Sequence, residues 1–435
     1  MSWVLFLAVC TAFTFFAFVS ADVREDRPAR DEWVPGQYIV VLKDSVIDID
    51  AAENDIVKNS RSERFDSYRN TIHGFAARIS DAELDAVKND PRVEFVSEDR
   101  VVSTTDARSA GARERTVTEL AKNGTLFAQA QALPTGIDRI NAENKTNKGA
   151  GVQVAVIDTG IYVNHPDLKA NVLGGKNCIS SNKSAYIDQN GHGTHVAGTI
   201  AALENAQGVV GVAPASKLWA IRVLDRNGNG TWSSVICGLD AVAASGPKYG
   251  GSITVANMSL GGSGTSDNNC GKTNNDALHK AVCRVRDAGV TLIVAAGNSG
   301  ANAANFVPAA YDDAVITVSA LTDTDGKGGG LGKPTSYGLD DTFASFSNWG
   351  IPVDIAAPGV NIYSTWLSNG YKTISGTSMA SPHVAGAAAL YIATHTGAAW
   401  TDVRDALVAA GEAIGAGHTD PSGRHPESVL RADTL

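Results

Sequence analysis

A serine at the predicted start of a buried helix is the residue of this sequence best placed for chemistry. Ser378 lies in Gly-Thr-Ser-Met-Ala-Ser-Pro-His (376–383), and the residues from there to His395 are mostly small and apolar. Because proline is tolerated only in the first helical turn, Pro382 predicts that the helix begins near Thr377 or Ser378. Unpaired backbone N–H groups and the helix dipole favour negative charge at that position. It therefore suits a nucleophile whose attack creates an oxyanion.

A serine needs a base, and the base needs an orienting group, to act as a nucleophile at neutral pH. His192 lies between glycines in Gly-His-Gly-Thr-His-Val-Ala-Gly (191–198), at the predicted start of another apolar helix. Asp158 follows the apolar run Val-Gln-Val-Ala-Val-Ile (152–157). Such a run predicts a buried parallel strand with the carboxylate at its carboxyl end. In doubly wound α/β folds, ligands bind at that edge of the sheet.

The order Asp158, His192, Ser378 along the chain is that of subtilisin and differs from the orders in chymotrypsin and the α/β-hydrolases. The three segments resemble those of the subtilisin-like serine proteases, most closely the proteinase K-like branch. A fourth match, Ala-Ala-Gly-Asn at 295–298, implies that Asn298 is the oxyanion-hole residue of this family. The resemblance covers roughly residues 130–400.

The resemblance implies an α/β fold with a doubly wound, mostly parallel sheet, helices on both faces and an Asp-His-Ser triad. It implies a serine endopeptidase that is secreted as a self-processed zymogen and needs no cofactor for catalysis. Taken singly, these residues have plainer explanations as turn formers, loop residues or a helix cap. Three other histidines, His165, His195 and His383, match structural positions of the family. Zinc ligation by His192 and His195 lacks the glutamate of the zinc-protease pattern.

Two rival functions differ in class. The first is a catalytically silent binding protein with the same fold and a retained prosegment, which the intact catalytic positions argue against. The second is a serine esterase or lipase. Its Gly-x-Ser-x-Gly elbow is missing, because Ala380 occupies the last position, and the order of the triad differs from that of such enzymes.

Composition and the N-terminus indicate the compartment and the partners. The 435 residues suit a large catalytic domain with a smaller one. The net charge of −10 without a basic block gives no sign of nucleic-acid binding. The apolar run 4–19, followed by Ser-Ala, predicts a signal peptide over 1–21 and hence secretion. This run is marginal for spanning a bilayer, so we expect no stable membrane association. We also expect a monomer.

The segment between the signal peptide and the catalytic motifs resembles the inhibitory prosegment of the family. Its strand and helix patterns predict a small α+β, ferredoxin-like unit with β-α-β-β-α-β order, of which one strand cannot be located from sequence. The prosegment would act as an intramolecular inhibitor, with its carboxyl tail in the substrate groove. The predicted boundaries are a tether at 22–35, the prodomain at 36–103, a linker with the maturation cleavage at 104–127, and the catalytic domain at 128–435.

The substrate groove is predicted from matching segments. A peptide would add as a strand between two edges, with pockets giving side-chain preference. Trp232 and Leu260 would border the pocket for the fourth residue before the cut, although Trp232 is also compatible with a core position. The small, uncharged walls beside the cut predict a broad endopeptidase that favours aromatic or aliphatic residues there. The predicted groove residues are Gly230, Thr231, Trp232, Ser259, Leu260, Gly261, Ala295, Ala296 and Gly297.

The cysteines and one aspartate complete the predictions. Four of the five cysteines follow the predicted signal peptide, which suggests two disulfides in an oxidising compartment but allows three connectivities. We favour Cys270–Cys283, which closes a short loop, and with it Cys178–Cys237.

The resemblance implies a structural calcium ion at Asp354, together with carbonyls near residues 312–315.

Overall fold

The computed structural model describes residues 33–104, 130–182 and 185–435. The predicted signal peptide, most of the predicted tether and nearly all of the linker lie outside the described residues. Among the described residues, no helix has both the length and the apolar character that crossing a bilayer requires.

The N-terminal unit has the predicted β-α-β-β-α-β order. Its elements are β1 (Trp33–Leu42), α1 (Ile49–Asn59), β2 (Glu63–Tyr68), β3 (Gly74–Arg78), α2 (Asp81–Lys88) and β4 (Val93–Thr104). The strands form an antiparallel sheet in the order β4-β1-β3-β2. Strand β2 is the one that the sequence does not reveal, because this edge strand is polar and mostly exposed. Strand β1 begins at Trp33, inside the segment predicted as a tether.

The larger unit continues with elements that alternate between strand and helix. They are α3 (Thr135–Arg139), β5 (Gln153–Asp158), β6 (Val172–Asn177), α4 (His192–Ala201), β7 (Lys217–Arg222), β8 (Asn229–Thr231), α5 (Trp232–Ala244), β9 (Ile253–Met258), β10 (Leu260–Ser263), α6 (Ala277–Asp287), β11 (Thr291–Ala295), β12 (Phe306–Val307), β13 (Ile316–Thr322), β14 (Thr342–Phe343), β15 (Ile355–Pro358), β16 (Ile362–Thr365), β17 (Tyr371–Ile374), α7 (Thr377–Thr394) and α8 (Trp400–Ala410).

The central sheet has the order β14-β13-β11-β9-β5-β7-β6, and β15 also pairs with β13. All of its pairings are parallel except that of β14. Helices α4 and α7 share one buried apolar cluster, while α5 and α6 share another with the opposite side chains of β5 and β9. Helices therefore cover both faces of the sheet, which confirms the predicted doubly wound fold.

Two disulfides join segments of the larger unit. Cys178, just after β6, is bonded to Cys237 in α5, and Cys270 is bonded to Cys283 in α6. This is the connectivity that we favoured among the three. The first bond closes a separation of 59 residues and the second one of 13 residues.

The small unit is joined to the large one through β4. The first part of β4 pairs with β1, and its last residues, beyond Arg100, pair with β8 on one side and β10 on the other. Because β8 and β10 are the two predicted edges of the substrate groove, β4 fills the position of a bound peptide.

Candidate active site

The Asp158 carboxylate lies at the carboxyl end of β5 and contacts the first residue of α4. His192 Nδ1 is 2.8 Å from Asp158 Oδ1 and 2.9 Å from Oδ2, and both side chains are fully buried. The close approach of α4 needs a glycine after His192, because a Cβ on Gly193 would lie 2.2 Å from the Gly160 carbonyl oxygen. The imidazole is thereby held with Nδ1 on the carboxylate, which is the arrangement that presents Nε2 as a base.

Ser378 is the second residue of α7, as its sequence predicts. Its Oγ is 3.3 Å from the carbonyl oxygen of Ser259, the residue that follows β9. Strands β5 and β9 are hydrogen-bonded neighbours, with Ile157 opposite Met258. Asp158 and Ser259 therefore lie side by side at the carboxyl edge of the sheet, and this pairing brings the starts of α4 and α7 to adjacent strand ends.

The prediction that Pro382 lies in the first turn of α7 was wrong, although the predicted start of the helix was right. Pro382 is the sixth residue of the helix and lies beyond the first turn. It cannot donate to the Ser378 carbonyl four residues earlier. That carbonyl instead accepts a hydrogen bond from Ser259 Oγ at 2.9 Å. The missing N–H of Pro382 therefore leaves an acceptor that connects the first turn of α7 to the end of β9.

Asn298 follows β11 and faces the first turn of α7. Its Oδ1 accepts hydrogen bonds from Thr377 N and Thr377 Oγ1, both at 2.9 Å. These bonds fix the plane of the amide against the first turn of α7, which carries Ser378. Thr377 Oγ1 also lies 3.1 Å from the Gly297 N–H. The sequence analysis missed Thr377 as a positioning residue, although it stands inside the serine motif.

The three histidines assigned to structural positions are buried and bonded to the backbone. His165 and His195 use Nε2 on carbonyl oxygens of the β16–β17 hairpin region. His383 Nδ1 is 2.8 Å from the Met379 carbonyl oxygen. Burial lowers the pKa of His383 to about 4, so this imidazole is neutral at physiological pH.

Strand β4 occupies the groove in a defined register. Val101 and Val102 lie opposite Thr231 and Gly230 of β8, and Thr104 lies opposite Leu260 of β10. The Thr104 N–H also donates to the carbonyl of Gly228 at 3.0 Å. The Val102 side chain is 1 % exposed and belongs to a buried cluster with Trp232 and Leu260. An aliphatic side chain of the prosegment is thus buried in the same cluster as the two residues predicted to border this pocket.

The other predicted wall lies at the end of β11. Ala295 and Ala296 are buried, and the Ala296 carbonyl accepts a hydrogen bond from Asn348 Nδ2 at 2.9 Å. Gly297 has φ +104°, and a Cβ there would lie 2.4 Å from the same Nδ2. This wall is made of small, uncharged residues, as the sequence shows, and it is hydrogen-bonded to Asn348.

Two carboxylates that the sequence analysis missed join the two units. Asp99 of β4 accepts hydrogen bonds from Ser233 N at 3.0 Å and Ser233 Oγ at 2.5 Å, in the first turn of α5. On the other side, Asp240 Oδ1 of α5 accepts from the backbone N–H groups of residues 69–71. Burial raises the pKa of Asp99. In the sequence, Asp99 and Asp240 look like ordinary surface carboxylates, so no local pattern predicts these contacts.

The implied calcium ligand Asp354 directly precedes β15. Its Oδ2 accepts a hydrogen bond from Thr317 N at 2.8 Å. Burial, with a contribution from the negative charge of Asp312, raises the pKa of Asp354 to about 7. A largely buried carboxylate that feels the charge of a second one is compatible with a hard cation.

The pairing of His192 with Asp158, the serine at a helix start and a strand in the groove define a serine endopeptidase with its own inhibitory segment. The subtilase family matches residues 149–423, and peptidase inhibitor I9 matches residues 37–105. This chain belongs to the subtilase family. Its placement in the proteinase K-like branch stays a prediction.

Relatives cover most of the chain. Subtilisin DY from Bacillus licheniformis is 42% identical over 284 residues, which are 64% of this chain and 91% of that protein. Subtilisin E from Bacillus subtilis (strain 168) is 33% identical over 413 residues, 93% of this chain and 92% of that protein. The crystal structure of a cold-adapted subtilisin-like serine proteinase has a TM-score of 0.56 and 36% identity, over 70% of this chain and 99% of that chain.

Proposed function

We propose that the chain is secreted as the zymogen of a broad-specificity serine endopeptidase, with Ser378, His192 and Asp158 as its catalytic triad. The observation that carries this proposal is the contact of His192 Nδ1 with both carboxylate oxygens of Asp158 at the end of β5. Ser378 contacts Ser259 at the end of the neighbouring strand β9. The names of the relatives, among them alkaline proteases, support secretion. The substrates are proteins and peptides.

The mechanism follows from these positions. Ser378 Oγ attacks the scissile carbonyl while His192 Nε2 takes the proton, and the protonated ring is stabilised by Asp158. The negative charge that develops on the carbonyl oxygen is met by Asn298 Nδ2 and the Ser378 N–H at the start of α7. His192 then gives the proton to the leaving amine, and water releases the acyl group by the same steps. Side chains and backbone perform all of these steps, without a cofactor.

The groove supports the predicted preference for apolar residues. Its two edges offer backbone hydrogen bonds to any extended peptide, and the described walls beside the cut carry no charge. Burial of Val102 in one cluster with Trp232 and Leu260 supports acceptance of an aliphatic residue four residues before the cut. We therefore expect efficient cleavage after aromatic or aliphatic residues.

The register of β4 also supports a proposal for the position of the first self-cleavage. Leu260 lies opposite Thr104, so Ser259, whose carbonyl contacts Ser378 Oγ, is one step further toward the nucleophile. We expect the first cut within about two residues after Thr104, at the start of the predicted 104–127 linker. Later cuts would remove the linker and leave a catalytic domain from about residue 128.

The test is expression with secretion of the wild-type chain and of Ser378→Ala, followed by gels and intact-mass analysis. The wild type should release a prosegment that ends close to Thr104, and turnover of a peptide amide should fall by about 10⁶-fold in the variant. Labelling by a fluorophosphonate should disappear with the hydroxyl. An uncleaved wild-type chain that does not label would contradict the proposal and favour the silent binding protein.

The structural calcium ion is also a proposal. Asp354, with Asp312 and carbonyls of the 312–315 segment, would hold it and stabilise the turn before β15. A chelator should lower the melting temperature of the wild type and leave Asp354→Asn less affected.

A further inference from the structure

A second group of carboxylates lies far from Asp354 in sequence, in the long connection between β13 and β14. Asp323 directly follows β13, Asp325 is two residues further, and Asp340 precedes β14 by two residues. One oxygen from each carboxylate lies within 4.8 Å of one from each of the others. The only other such group among the described residues contains Cys270 and Cys283, whose sulfurs are joined in a disulfide.

One oxygen of this group has no partner. Asp323 is 1 % exposed, and its Oδ1 accepts from the Gly326 N–H at 3.0 Å. Its Oδ2 is buried without a hydrogen bond. A buried carboxylate oxygen that is left unpaired is costly unless a cation or proton compensates it.

Arg139, whose positive charge acts on Asp323, is already paired with other carboxylates. Arg139 Nε donates to Asp341 at 2.7 Å, and its Nη2 donates to Glu412 at 2.7 Å. Asp340 is satisfied by neutral donors, namely Thr324 and the Gly332 N–H. Within the part of the chain that the structure describes, none of the three carboxylates forms an ion pair with a basic side chain.

We propose that Asp323, Asp325 and Asp340 bind a divalent metal ion, with calcium as the best match. All the side-chain donors are oxygens, as a hard cation requires. Calcium–oxygen distances are about 2.3–2.6 Å, so two oxygens bound to one ion can lie up to about 5 Å apart, and carboxylate oxygens within 4.8 Å of one another are close enough to share a calcium ion. Magnesium usually keeps several waters and binds through one or two carboxylates, so a group of three carboxylates suits calcium better.

The middle of this connection contributes little apolar packing. Residues 326–332 include five glycines, and the apolar side chains of Leu331 and Leu339 are 89 % and 63 % exposed. Its end is tied to the C-terminal segment, where the Thr419 N–H donates to the Asp341 carbonyl at 2.9 Å. An ion between the two ends of this connection would hold it against β13 and reduce its exposure to proteolysis.

Burial raises the pKa of Asp323 to about 7, and the neighbouring Asp341 and Asp340 add to this effect. The rival explanation is therefore a protonated Asp323 without a metal. The two explanations differ in one measurable quantity, the number of calcium ions that the chain binds.

The experiment uses the full chain carrying Ser378→Ala, so that self-digestion is absent. After chelation, calcium binding is titrated by calorimetry at pH 7.5 or above, and the melting temperature is recorded with and without calcium. Asp325→Asn removes an exposed ligand without disturbing the fold, and it should lower the number of bound ions by one. Asp85→Asn, an exposed carboxylate on α2, is the matched control and should bind as many ions as the parent.

Two further variants complete the test. Asp323→Asn should lose the same ion, and combining Asp325→Asn with Asp354→Asn should remove one more ion than Asp325→Asn alone if the sites are distinct. The proposal is overturned if Asp323→Asn and Asp325→Asn both bind as many calcium ions as the parent with unchanged Kd. A higher melting temperature of Asp323→Asn, with unchanged calcium binding, would establish the protonated acid instead.

Discussion

The catalytic centre and the prosegment interface are built from different interactions. The centre lies at the carboxyl edge of a sheet whose two faces are covered by apolar helices. Asp158 and His192 are fully buried there. The interface is joined by strand pairing and by the carboxylates Asp99 and Asp240, which accept hydrogen bonds from backbone and hydroxyl groups. Apolar prosegment side chains such as Tyr68 and Ile72 add to it, since they belong to one buried cluster with residues of α5 and α6.

This difference suits a zymogen, whose catalytic centre must persist while its prosegment must dissociate after cleavage. A buried apolar core keeps the catalytic side chains in one geometry, because moving them would expose the sheet. The hydrogen bonds of the interface each contribute little net free energy, because water can replace them once the two units separate. Cutting the chain after β4 therefore leaves a prosegment that can leave, while the centre stays intact.

After removal of the Ser378 hydroxyl, the largest effect is expected from replacing the Asp158 carboxylate by an amide. Asp158→Asn keeps the size of the side chain but lets it donate to His192 Nδ1, which favours the wrong tautomer of the ring. We expect kcat to fall by about 10⁴-fold with little change in KM. Steady-state kinetics of the mature enzyme on a peptide amide would measure this. A loss below tenfold would show that Asp158 does not orient the base.

Removing an oxyanion donor should have the next largest effect. Asn298→Ala should lower kcat by about 10²–10³-fold and leave KM nearly unchanged, because the donor acts mainly in the transition state. Thr377→Val keeps Asn298 but removes one of the two bonds that orient its amide, so it should reduce kcat less. Equal losses in both variants, or a change confined to KM, would contradict the assigned roles.

The sequence could predict the centre better than the interface, for a physical reason. Asp158, His192 and Ser378 each lie where a local pattern ends, at a strand end or a helix start, so the chain itself marks their positions. Asp240 is an ordinary polar residue of α5, and only its pairing with residues 69–71 gives it a role. The register of Thr104 against Leu260 is equally non-local, and the polar strand β2 has no apolar pattern to reveal it.

Within the core, His383 should make stability depend on pH. Burial lowers its pKa to about 4 from 6.5, so the unfolded chain takes up the proton first as the pH falls. The stability is therefore full above pH 6.5 and decreases toward pH 4, by roughly 3 kcal/mol from this group. His383→Asn, whose amide can still donate to the Met379 carbonyl, should flatten this decrease. Denaturant unfolding of the Ser378→Ala chain at several pH values would test it.

The smallest effect is expected at the interface, and it concerns a rate of release. Asp240→Asn keeps the shape of the side chain but loses the charge that three backbone N–H groups share. Since hydrogen bonds to a charged group contribute about 1.5–3 kcal/mol, the cleaved prosegment should dissociate roughly 10- to 100-fold faster. The lag before activity appears would shorten, while kcat of the fully released enzyme stays the same. Asp287→Asn, a carboxylate at the end of α6 that pairs with Arg286, is the matched control. An unchanged lag in Asp240→Asn would mean that strand β4 alone retains the prosegment, and the contrast between core and interface would then fail.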